Sequence, residues 1–184
     1  MINHNKLKWH NIKMQCIKAG CPNIQVQPGR SLSDVLKDVC NITSKANMPV
    51  TTDFHGGFVI PAGTEYHDAY FMALEQTDTC SPQDRLAEAQ MIKQVVPNFE
   101  FDEELKLSLA YYRHEVLKEN PQNINQFTEE DILDTFKILN KMKNDEYKVT
   151  LPLLEKELQT KYPQTYTALQ QKEQQPTRYN GFTR

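Results

Sequence analysis

Long apolar runs are missing from this 184-residue chain. A helix needs roughly 20 consecutive apolar residues to cross a bilayer, and the runs here are only a few residues long, so no membrane span is expected. The opening stretch MINHNKLKWHNIKMQ carries charge but no apolar centre. It does not read as a secretory leader, and a cytoplasmic location is the expectation. Glycine is scarce, at six residues. Neither His55-Gly56-Gly57 nor Pro61-Ala62-Gly63 has the glycine spacing, the lysine or the strand–loop–helix order of a phosphate cradle. No cofactor is expected.

Cysteine is also sparse: Cys16, Cys21, Cys40 and Cys80. Disulfide frameworks belong to exported, core-poor chains. No export signal is read in the opening stretch, and a chain of about 150 residues already buries about 70% of its unfolded surface, so reduced thiols are expected. The Asn41-Ile42-Thr43 sequon falls inside a predicted helix and is read as chance. Cys16 and Cys21 have the spacing of a zinc knuckle. The second ligand pair is absent, and His55 or His67 would have to arrive from elsewhere, so no metal is expected. No internal repeat is visible.

What the chain does have is eight phenylalanines, eight tyrosines and well-spaced aliphatic residues, which is not a disordered composition. The net charge of −3 hides an uneven distribution. Residues 1–48 carry a balance of +5, residues 64–136 of −11 and residues 137–184 of +4. Such asymmetry marks either a charged docking surface or segments that face each other across the fold.

Residues 7–17 alternate loosely, with Ile12, Met14 and Cys16 on one side, and predict a strand. Ile24 and Val26 predict a second, closed by Pro28-Gly29. Ser31 with Asp34 opens a helix whose apolar face is Leu32, Val35, Leu36, Val39, Ile42 and Ala46. The helix ends before Pro49. A hairpin follows, with Val50–Phe54 and Phe58–Ile60 joined by a three-residue turn at His55-Gly56-Gly57. That turn pairs Phe54 with Phe58 and Thr52 with Ile60. Thr64 is expected to cap a helix running to about Gln76.

Beyond that, the period is helical throughout. Ser81-Pro82 starts one helix, with Leu86, Ala89, Ile92 and Val96 as its apolar face and Pro97 as its stop. Asp102 opens the next, where Leu105, Leu109, Tyr112 and Val116 form a stripe that Leu107 and Tyr111 widen, marking a central helix. A polar connection over 120–127 leads to a helix opened by Thr128 and Asp131. A last helical stretch from Thr150 breaks at Pro163 and resumes weakly to about Gln171. The fold class is therefore α+β: a small N-terminal β region with a helix–β-hairpin–helix unit, then a helical C-terminal half. The expected divisions are 1–78, 79–170 and a mobile polar tail at 171–184.

Three functional readings follow. A cysteine hydrolase or transferase would use Cys40 as nucleophile and His55 as base, with Asp68 or Asp53 orienting the imidazole. Against it, Cys40 lies beside the buried stripe of its helix, and free cysteine is commonly core. A nucleic-acid binder would use Lys6, Lys8, Trp9 and Lys13, cations for phosphate and an aromatic for stacking, against the acidity of the whole. The carboxylates at His67-Asp68, Glu103-Glu104 and Glu129-Glu130-Asp131 read as helix starts, where the N-terminal dipole favours them. The leading expectation is a non-catalytic interaction or regulatory protein. It would act through its acidic helical surface on another protein, of basic character.

Overall fold

The computed structural model describes residues 4–173. The chain is α+β, with a three-stranded sheet near the N-terminus and a helical second half. In chain order its elements are α1 (His4–Lys18), β1 (Asn23–Ile24), α2 (Leu32–Ala46), β2 (Val50–Thr52), β3 (Val59–Ile60), α3 (Tyr66–Thr77), α4 (Pro82–Val95), α5 (Glu103–Glu119), α6 (Glu129–Leu139), α7 (Asp145–Lys148), α8 (Leu151–Lys161) and α9 (Pro163–Glu173). The end of the polar tail, residues 174–184, lies outside the described residues.

The predicted strand at 7–17 is a helix instead. Its less exposed side chains are Trp9, Ile12, Lys13 and Cys16, a spacing of three to four residues. Met14, which completed the apparent alternation, is 41% exposed. Three apolar residues two apart satisfy both periods over so short a run. The second strand is shortened. Beyond Ile24 the chain leaves the ladder, and the Val26 amide donates to Asp53 Oδ1 at 2.8 Å instead. β1 runs parallel to β2, with Asn23 opposite Thr51, so α2 serves as the crossover between them.

α2 forms as its signals require. Ser31 Oγ accepts from the Asp34 amide at 3.1 Å, and Asn47 closes the helix in the left-handed region, at φ 48°. Val35, Leu36 and Val39 are fully buried. The hairpin is antiparallel but its register differs from the expected one. Val50 lies opposite Ile60 and Thr51 opposite Val59. The turn therefore takes five residues, 53–57, with a 3₁₀ turn over Phe54–Gly56 and His55 itself left-handed at φ 45°. The slip is of two residues, so side chains keep their faces, and Val50, Phe58 and Ile60 are all buried. Gly57, at φ 90°, is required here: a Cβ would lie 2.6 Å from the Thr52 carbonyl.

Thr64 does not cap α3. Its hydroxyl donates to the Pro61 carbonyl at 2.9 Å, and Glu65 occupies the cap position without a side-chain bond. The free edge of β3 is covered from α3. The Val59 amide donates to Gln76 Oε1 at 2.9 Å, and Gln76 Nε2 donates back to the Val59 carbonyl at 3.0 Å.

α5 is the central helix. It packs on α3, α4 and α6, and Asp102 caps it by accepting from the Leu105 amide at 2.8 Å. Leu107, Leu109, Ala110, Tyr111, Tyr112, Val116 and Leu117 are buried. So are Arg113 and His114, two polar residues inside the apolar stripe. Residues Pro121–Gln126 of the polar connection form a 3₁₀ helix. α6 starts with a complete capping box between Thr128 and Asp131. The short α7, capped by Asn144 and carrying the buried Tyr147, has no counterpart in the sequence reading, because four residues are too few to show a period. α8 packs on α6 and α9, and Leu154 and Leu158 are fully buried.

Candidate functional site

Cys40, His55 and Asp68 do not form a hydrogen-bonded set among the described residues. Cys40 is half-buried against the core. Burial, with the Glu65 carboxylate nearby, pushes its thiol up to about 11, opposite to what a nucleophile needs. His55 packs edge-on to Phe54 and lines an open pocket of about 470 Å³ with Arg30, Asp78 and Arg85. Cys40 and Asp68 are not in that lining. Asp68 is buried in the first turn of α3. Its Oδ2 accepts from the Lys143 amide at 3.4 Å, and its Oδ1 has no partner.

The basic N-terminal residues are partly engaged within the fold. Lys8 stands over the Trp9 ring at 5.7 Å. Trp9 is half-buried, with the Glu75 carboxylate close enough for its indole to lower that acid's otherwise raised pKa. Lys13 Nζ donates to the Gly56 carbonyl at 3.2 Å, tying α1 to the hairpin loop. The side chain of Lys6 lies outside the described residues. No group of three metal-ligating side chains forms among the described residues.

A different region gathers the features of a docking site. α4 was expected to bury Leu86, Ala89, Ile92 and Val96, yet only Leu86 is buried and Val96 is 48% exposed. Its other apolar residues are more open: Met91 is 63% exposed and Val95 76%. Phe99, 40% exposed, extends the strip past the helix end and stacks edge-on to Phe101, ring centroids 5.4 Å apart. Between α4, α5 and the start of α6 lies a cavity of about 310 Å³, with Leu86, Ala89, Phe101 and Phe127 among its lining. A second hollow of about 250 Å³ shares Lys93, Phe101, Arg113, Glu130 and Asp131 with it, so the two form one groove.

The groove's cations are all paired to α6. Lys93 meets Glu130 at 3.2 Å and Lys106 meets Asp134 at 3.9 Å. Arg113, only 6% exposed, bonds Asp131 and stands over the Phe127 ring at 5.9 Å. The acids that line it are more numerous. Glu100, Glu130, Asp131 and Asp134 stand against three cations, and Glu100 forms no ion pair among the described residues. The surplus charge of the groove is therefore negative.

The sequence reading missed this strip because it sought a single face on α4. The available signal was a second apolar line, Met91, Val95 and Phe99 at four-residue spacing, which one buried stripe does not need. No family model, no curated protein and no solved structure matches the chain.

Proposed function

We propose that this chain is a non-catalytic interaction protein that docks a basic, amphipathic segment of a partner protein along α4. The observation that carries the reading is the open strip Met91, Val95, Val96 and Phe99, which meets an acidic groove only at its end, where Phe99 packs on the groove residue Phe101. Scattered apolar residues on a surface are ordinary, whereas a contiguous strip beside a groove marks an interaction site. An amphipathic helix would lay its apolar residues on the strip. Its lysines or arginines would face Glu100 and the acids at the start of α5, which speeds encounter and sets orientation.

The test uses two labelled helical peptides of the same apolar pattern, one with lysine and one with glutamate at the polar positions. Fluorescence anisotropy against the full chain should show binding of the lysine peptide alone, weakening with salt. Burying a valine side chain is worth about 1.5 kcal/mol, so Val95→Asp should weaken binding at least about tenfold. Equal binding of both peptides, or binding indifferent to Val95→Asp, would count against the proposal. A dimer in gel filtration that Val95→Asp dissociates would assign the strip to a second copy of the chain instead.

A further inference from the structure

The C-terminus of α1 ends in a Schellman turn. The Cys21 amide donates to the Cys16 carbonyl at 3.0 Å, and the Gly20 amide to the Ile17 carbonyl at 3.2 Å. Gly20 takes the left-handed conformation at φ 72° that the turn demands. This motif brings the side chain three positions before the cap against the one two positions after it. In most helices that contact is between two hydrophobic residues. Here both positions are cysteine, and both thiols are free. Cys16 is buried and Cys21 half-exposed. The turn places the two cysteines on the same side of the helix end, and burial, with the Cys21 thiol nearby, holds the Cys16 thiol up.

We infer that Cys16 and Cys21 form a dithiol modification site, closed to an intramolecular disulfide by a small-molecule disulfide such as oxidised glutathione. The order of events follows from exposure. The Cys21 thiolate attacks one sulfur of the oxidant, forming a mixed disulfide and expelling one glutathione thiolate. Cys16 then attacks the Cys21 sulfur and expels the second, which takes up the Cys16 proton. Two protein thiols are oxidised to one disulfide while one glutathione disulfide is reduced to two thiols. Both protons pass to the leaving thiolates.

The bond would join the end of α1 to the segment leading into the sheet. Cys21 precedes Pro22, whose carbonyl accepts from the Thr51 amide of β2 at 3.0 Å. Cys16 is the one α1 side chain that is buried among the described residues, so the disulfide would staple α1 at its C-terminal end, where it is most deeply anchored. The reading is independent of the α4 docking proposal, because the two sites share no residue.

Trypsin cuts after Lys18, between the two cysteines, and so separates Met14–Lys18 from Ala19–Arg30. The full chain is incubated with oxidised glutathione, free thiols are blocked with N-ethylmaleimide, and the digest is weighed. The expected product is the two peptides joined, at the sum of their masses less two hydrogens, and its loss on reduction. The exposed Cys80 is the internal control and should carry only a single glutathione. In Cys16→Ser, Cys21 should retain glutathione as a stable mixed disulfide. Recovery of the two peptides separately from wild-type protein, with Cys80 fully glutathionylated, would overturn the inference.

Discussion

His114 should make the fold sensitive to mild acid. The ring is fully buried on α5. Its Nδ1 lies 3.3 Å from Thr150 Oγ1, and its Nε2 is buried without a hydrogen-bond partner. Burial, with Lys118 nearby, pushes its pKa down from the ordinary 6.5 to about 4. The Glu115 carboxylate stands 3.7 Å from Nε2 but is held by Lys118 at 2.7 Å, so it does little to offset burial. The unfolded chain therefore takes up a proton near pH 6.5 that the folded chain refuses until about pH 4. The stability that neutral His114 permits is whole above pH 6.5 and is lost progressively as pH falls toward 4. One pH unit is worth 1.36 kcal/mol, so the loss reaches about 3 kcal/mol near the lower limit. That is a large share of the roughly 5–15 kcal/mol by which a domain of this kind is stable.

The assay is urea unfolding, followed by circular dichroism, of wild type, His114→Phe and His114→Asn at about pH 7 and about pH 4.5. Phenylalanine keeps the edge-on contact with Tyr147, whose ring is 5.5 Å away, and asparagine keeps a polar atom for Thr150. Either variant can cost stability at neutral pH. What matters is the difference between the two pH values, in which all other titrating groups largely cancel. Wild type should lose about 2 kcal/mol more than either variant between them. Parallel pH dependences in all three proteins would refute the reasoning.

Two further outcomes are expected. Asp131→Asn leaves the buried Arg113 without its bonded counter-charge, with only Asp134 and Glu130 acting at longer range, and should cost about 3 kcal/mol in urea unfolding. Thr128→Ala, which loses only the cap, should cost about 1 kcal/mol, and equal costs would contradict the importance of the buried pair. With its thiol raised from 9.0 to about 11, Cys40 carries roughly a hundredfold less thiolate than an unshifted cysteine. Site-resolved iodoacetamide labelling at neutral pH should therefore modify the exposed Cys80 long before Cys40, and matched rates would reopen the catalytic reading.

The elements most legible in the sequence are those with a chemical start signal as well as a period. Ser31, Ser81, Asp102 and Thr128 all accept from the backbone amide three residues on, as their positions before apolar stripes predict. Where the signal was periodicity alone over a few residues, it failed, as at Ile12, Met14 and Cys16 in α1. Turn geometry was partly legible. Gly56-Gly57 announced a reversal, but nothing local announced that His55 would take a left-handed conformation and lengthen the loop to five residues. Neither proposed site depends on a catalytic or binding sequence motif. Which apolar residues of α4 remain uncovered is decided by how closely α5 and α6 approach, a property of tertiary packing. The cysteine pair was visible as a spacing. Its meaning needed the helix end, since in a strand the same two residues would not meet.

Gln76 carries a consequence for the chain's behaviour among its own copies. Its side-chain amide occupies the outer rim of β3, offering Val59 one donor and one acceptor in the pattern a neighbouring peptide group would provide. An uncovered rim is where sheets of different molecules zip together. Conversion of that amide to an acid, by substitution or slow deamidation, would set a carboxylate oxygen against the Val59 carbonyl and pull the cover away. The Gln76 amide thus satisfies the outward backbone groups of Val59 that the packing of α3 alone would bury without partners.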